Sequence, residues 1–264
     1  MLEYALPAPP LRTFVSHYWL SLNNAQRVHT VLPDGAVDLV IELSGTAIRC
    51  TAFGTAIRRA EVPVARGSHY LGVRFNAGQS RHFLGIAAHE LTDASESAQG
   101  LLLFDLRDVP ERLTERGVFV LLDTILLRHL AHRQPRRHGI DASIDLMCAS
   151  RGMLGVDEAA AASGKSRRQF ERMFLQKVGI SPKFFARILR FQHASALMRS
   201  ATPLVAVAAD TGYSDQSHMS HDFLRLTGMS PAVYARSDVA FLQDLPPPEP
   251  DNGRLDPLYS RGGK

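Results

Sequence analysis

Two cysteines and no long apolar run set the first limits on this 264-residue chain. Cys50 and Cys148 stand far apart and outside any ligand-like spacing. That excludes a disulfide framework and fits a reducing compartment. The longest apolar stretch, residues 117–127, is broken by Asp123 and Thr124 and is too short to span a bilayer, so no membrane partner is expected. The opening MLEYALPAPPLRTF lacks a basic start followed by a long apolar run, so a cytoplasmic location is expected rather than secretion.

Groupings that carry catalysis are also missing. His17, His29, His69, His82 and His89 form no His-x-His or Glu-x-x-His cluster, so no metal is expected. Residues 72–78, GVRFNAG, lack the helix and Lys of a phosphate loop. No nucleophile-base pair can be argued, so the chain is read as a non-enzyme without a cofactor. Leu32-Pro33-Asp34-Gly35 reads as a type I turn, and Arg74 is a candidate to meet an anionic effector.

What the chain does have is positive charge in one place. Lys and Arg number 30 against 26 Asp and Glu, and the pI is about 9.3, a weak pointer to a polyanion by itself. Between Ser163 and Arg190, however, Lys165, Arg167, Arg168, Arg172, Lys177, Lys183, Arg187 and Arg190 are opposed only by Glu171. The segment reads as helix, tight turn, helix, then a Ser-Pro break. A helix with an apolar face inward and Arg outward is what a DNA major groove admits.

The pattern divides the chain into four parts. Residues 1–108 alternate over 37–43 and 69–75 between turn signals such as Pro33-Asp34-Gly35 and Asn76-Ala77-Gly78, giving a small β-barrel or sandwich. Residues 11–22 are open to either a short helix or a strand. Residues 109–138 hold a long helix from about Glu111 to His132, roughly 33 Å at 1.5 Å per residue, and a polar linker. Its end carries Arg128, His129, His132 and Arg133, expected to be solvated and to complement the helix dipole. Residues 139–238 are all helical, and the Pro-rich residues 239–264 are expected to be a disordered tail. The fold class is therefore α+β, with an all-α C-terminal half.

That half repeats itself. Gly179-Ile180-Ser181-Pro182 recurs as Gly228-Met229-Ser230-Pro231 at an offset of 49, and Phe170, Phe174, Leu175, Phe185 and Arg187 map onto Met219, Phe223, Leu224, Tyr234 and Arg236. Two helix-turn-helix units follow, joined by a helix from about Phe184 to Met198. Inward-facing Phe170, Met173 and Phe174 turn Arg167, Arg168, Glu171 and Arg172 outward, with Ser166 as N-cap. In the second copy Met219, Phe223 and Leu226 go inward and Gln216, Ser217, Ser220 and His221 outward, with Asp215 as cap. Arg and Gln suit guanine and adenine edges, and Glu171 could accept from cytosine.

Residues 140–236 resemble the DNA-binding domain of the AraC/XylS family of transcriptional regulators. The resemblance rests on residues 166–174 (SRRQFERMF), 212–223 (GYSDQSHMSHDF) and the two Gly-x-Ser-Pro turns. It implies two recognition helices entering the major groove on one side of double-stranded DNA. Base-contacting positions map to Arg168, Glu171 and Arg172, and to Gln216, Ser217, Ser220 and His221. Ser166, Arg167 and His218 complete the DNA-binding set, with Lys165 and Lys183 as phosphate contacts. His221 stands where the family usually has Arg or Lys, and Arg236 falls one place late, so the first unit is expected to dominate affinity. Residues Tyr18-Trp19, Leu32-Pro33-Asp34-Gly35, Asp38-Leu39, Gly72-Val73-Arg74-Phe75 and Gly78 resemble the N-terminal domain beside this unit in many bacterial regulators. That resemblance names an architecture and no ligand; a small-molecule effector, a homodimer and RNA polymerase are the expected further partners, and the sequence leaves activator and repressor both open. The rival reading is a barrel enzyme or small-molecule binder whose helical half is an oligomerisation module.

Overall fold

Alternation in the first hundred residues becomes a six-stranded antiparallel sheet. In the computed structural model, which describes residues 2–113, 117–199 and 202–236, the strands are β1 (Leu2–Ala5), β2 (Val15–Ser21), β3 (Val28–Val31), β4 (Val37–Ser44), β5 (Ala47–Phe53), β6 (Ala60–Pro63), β7 (His69–Phe75) and β8 (Ser95–Ser97). Their order is β1-β2-β7-β4-β5-β8, with β3 and β6 paired separately. The segment at 11–22 is thus mainly strand. Its period-2 pattern sends Tyr18 and Leu20 into the core with Leu39, Ile41, Leu71, Val73 and Phe75. His17 and Trp19 take the other face, where the indole lies so close over Gly72 that a Cβ there would meet it at 1.9 Å.

The long helix is shorter than its stripe suggested. α1 spans Val118–Arg133, about 24 Å at 1.5 Å per residue. Gly117, at φ 100°, is left-handed and cannot carry the helix back through it. α1 buries Val118, Phe119, Leu122 and Leu126 in the sheet's core, and Asp123 accepts from the Tyr18 hydroxyl at 2.9 Å and the Ala8 amide at 2.9 Å. His129 is not solvated as expected. It is buried, with Nε2 2.7 Å from the His82 carbonyl.

Helices α2 (Gly139–Ala149), α3 (Val156–Ala162), α4 (Arg167–Val178), α5 (Pro182–Arg199), α6 (Leu204–Asp210), α7 (Gln216–Thr227) and α8 (Pro231–Tyr234) form the C-terminal half. α5 serves two cores: Phe185 and Ile188 join Phe170 and Phe174, while Phe191, Ala194 and Met198 join Met219, Phe223 and Tyr234. The expected tail at 239–264 lies outside the described residues. No helix among the described residues is long and apolar enough to cross a membrane.

The two halves dock. Leu32 leaves the first domain and is buried in the second helical core. Gly35, at φ 73°, lies under the Phe185 ring, where a Cβ would come within 2.6 Å. The backbone bends at Gly35, and the Ala36 amide donates to Asp34 Oδ1 at 3.1 Å, an Asx turn in place of the expected hydrogen-bonded type I turn over Leu32–Gly35. Arg74, the candidate for an anionic effector, pairs with Asp34 of that turn and with Asp38 at 3.1 Å. Thr55 donates to the Val178 carbonyl at 2.8 Å and Thr92 to the Gly179 carbonyl at 2.6 Å, satisfying carbonyls at the C-terminal end of α4. Buried Asp141 accepts from Lys177 at 2.6 Å and from Gln79 at 3.4 Å, with Arg81 at 3.6 Å.

Leu32→Ala is expected to raise amide exchange in α6 and α7, whose core it vacates, while the sheet stays protected; exchange rising only in the sheet would contradict the docking. Burial pushes the Asp141 carboxyl up, but Lys177, the His138 amide and Arg81 outweigh it and hold it below its ordinary value. Its stabilisation is therefore complete above the unfolded value of about 3.9 and is lost as pH falls through the folded value. Asp141→Asn should cost about 3 kcal/mol near neutral pH in urea titrations, and less below pH 4.

Candidate nucleic-acid interface

Each recognition helix is started by the cap its sequence supplies. Ser166 accepts from the Gln169 amide, and the Gln169 side chain answers at the Ser166 amide at 3.2 Å, a reciprocal capping box. Asp215 accepts from the His218 amide at 2.7 Å, which holds its carboxyl below its ordinary value. The turns ahead of them use Gly164 at φ 67° and Gly212 at φ 72°, a conformation open to glycine at no steric cost. Gly179 and Gly228 close α4 and α7 in the same left-handed conformation.

The inward faces are those expected. Phe170 and Phe174 are fully buried and in contact at 5.5 Å between centroids, and Met219, Phe223 and Leu226 are equally enclosed. Outward, the basic stretch divides into two groups. Lys177 is turned to Asp141, Arg187 pairs with Asp222 at 3.3 Å, and Arg190 donates to the Gly152 carbonyl at 3.2 Å while lying over Tyr213. Arg167 reaches Asp157 at 3.0 Å and Glu171 at 3.1 Å, tying α3 to α4 and occupying the Glu171 carboxylate. These four cations brace the fold. Lys165, Arg168, Arg172 and Lys183 are exposed, with no ion-pair partner among the described residues.

The second helix presents a more polar face. Gln216, Ser217 and His221 are exposed. The Ser220 hydroxyl is half-buried and donates back to the Gln216 carbonyl at 2.8 Å. His218 lies edge-on to Tyr213 at 5.4 Å with Nδ1 3.2 Å from the Ser214 hydroxyl, so its ring supports the turn. Sequence reasoning did not find the acidic partners, because Asp141, Asp157 and Asp222 come from outside the 163–190 stretch and only folding brings them to it.

The geometry is that of two equivalent helix pairs, each with an outward polar face, on a shared strut. Residues 159–237 match the helix-turn-helix domain family, and residues 3–97 match a domain of unknown function, DUF6597. The helix-turn-helix match falls in the C-terminal half and spans both recognition helices. An uncharacterized helix-turn-helix transcriptional regulator of Haemophilus influenzae is 28% identical over 144 residues, 52% of this chain and 43% of that protein. The regulator MtrA of Neisseria gonorrhoeae is 32% identical over 83 residues, 31% of this chain and 27% of its own. The chain thus spans less than half the length of the curated relatives it matches. A crystal structure of an AraC-type regulator from Chromobacterium violaceum is 28% identical, covers 40% of this chain and 93% of its own, and superposes with a TM-score of 0.35. Each of these relatives carries the name of a transcriptional regulator.

Ser166→Ala removes an N-cap of the first recognition helix and should lower stability by about 1 kcal/mol in thermal or urea melts. Lys165→Ala, one residue earlier and exposed, should change it little. Equal losses in the two variants would contradict the capping assignment.

Proposed function

We propose that this protein is a sequence-specific DNA-binding transcriptional regulator whose two recognition helices read successive major-groove faces of double-stranded DNA. The observation that carries the reading is the charge partition: the braced cations serve the fold, while Arg168 and Arg172 stand exposed on the first recognition helix. Arg168 and Arg172 read bases as bidentate donors, most readily guanine. Glu171, held by Arg167, orients that face. Gln216, Ser217 and His221 read the second face, with Ser220 and His218 shaping it, and Ser166, Lys165 and Lys183 meet phosphate. With neutral groups in place of Arg, the second unit adds less affinity than the first.

The N-terminal domain regulates by setting how the two units are held. It touches the first unit through Thr55, Thr92, Gln79 and Arg81, and the second through Leu32. An effector bound in that domain, or a homodimer formed through it, would therefore bias both recognition helices together. On this reading the regulator is an activator working in the cytoplasm with RNA polymerase as a further partner.

Fluorescence anisotropy with genomic fragments tests the reading. Tight binding to particular fragments over random duplex at moderate salt is the expected result, and equal binding to all would overturn it. On a preferred fragment, Arg172→Ala should cost about 1–3 kcal/mol and relax the preference at one base pair. Lys183→Ala should weaken binding to all sequences and reduce the salt slope by about 1, leaving preference intact.

A further inference from the structure

Among the outward positions of the two recognition helices, one residue is the same in both. At the 49-residue offset Arg168 becomes Ser217, Glu171 becomes Ser220 and Arg172 becomes His221, but Leu175 is matched by Leu224. Neither leucine packs into a core: Leu175 is 42% exposed and Leu224 57%. An isolated exposed leucine is ordinary on a protein surface. Here the same exposure recurs at the same place on each helix, on the faces that carry the polar candidates.

The helical period fixes their company. Leu175 is seven residues after Arg168 and three after Arg172, so it lies on the same stripe two turns along. Leu224 stands in that relation to Ser217 and His221. The inward residues Phe174 and Phe223 directly precede them and are fully buried, which turns the leucines away from the core. Each leucine follows polar groups one turn back on its helix, Glu171 and Arg172 in one case and Ser220 and His221 in the other. In the major groove, the apolar feature presented to such a side chain is the C5-methyl group of thymine.

We propose that Leu175 and Leu224 are specificity-determining residues, each packing on a thymine methyl group at the far end of its recognition helix. The proposal rests on the DNA-binding reading and extends it to two residues and one base type. The two half-elements of the operator then share a thymine at equivalent positions, although the bases read by Arg168 and Arg172 differ from those read by Ser217 and His221. Both side chains are exposed, so Leu175→Ala and Leu224→Ala retain the fold.

The test uses the full chain on its selected binding site, with each thymine replaced in turn by deoxyuridine, which lacks only the methyl group. The wild type should lose about fourfold in affinity at one thymine in each half-element, the worth of one buried methyl. Leu175→Ala should lose that sensitivity in the first half-element alone, and Leu224→Ala in the second alone. A wild type indifferent to every such replacement would overturn the proposal. So would variants that keep the full sensitivity, including the case in which they bind normally but fail to activate transcription, which would assign the leucines to a protein partner. If selection returns no preferred site at all, the DNA-binding reading itself fails and takes this proposal with it.

Discussion

Two aromatic rings on α5 hold the rest of the molecule in place. Phe185 meets Phe174 of the first recognition helix at 5.4 Å between centroids, and Phe191 meets Phe223 of the second at 4.8 Å. Because six residues of one rigid helix separate them, the position of one recognition helix constrains the other. The N-terminal domain attaches at the same two places, with Gly35 pressed on Phe185 and Leu32 enclosed in the Phe191 core. A change in that turn therefore reaches both units through residues in direct contact.

Charge is distributed according to the same constraint. Holding α2, α3, α4, α5 and α7 at fixed angles takes ion pairs at Arg167, Lys177 and Arg187; those of Lys177 and Arg187 are shielded from water, where attraction is least screened, while that of Arg167 is exposed. The residues left over for a polyanion are fewer than the sequence count implies, and they gather on the first unit. Two histidines of the first domain, His17 and His82, add no positive charge to that reserve. Burial, aided by nearby arginine, pushes His17 down to about 3 and His82 to about 4, so both stay neutral at cellular pH.

Much of the helical half was legible because its signals are local. Ser166 and Asp215 cap helices three residues from the amides they satisfy, and the repeated Gly-x-Ser-Pro turns mark both units without reference to anything distant. Strands β4 and β7 were legible for the same reason, through alternation alone. The start of α1 was misplaced because its apolar stripe continues past Gly117, and a stripe reports a face rather than the backbone conformation that ends it. The docking of the two domains left no local trace. Leu32 reads as part of a turn and Thr55 and Thr92 as ordinary loop residues, since their partners lie more than eighty residues away. Asp141 was hidden likewise: its pairing with Lys177 spans 36 residues and becomes visible only when α2 packs on α4.

Selection of binding sites from random duplex by the full chain bears most directly on a tandem reader with unequal halves. The expected result is two short elements on one face of the DNA, about one helical turn apart, with the more sharply defined element lost when Arg168 and Arg172 are replaced together. A single element, or two of equal sharpness that survive that replacement, would contradict it.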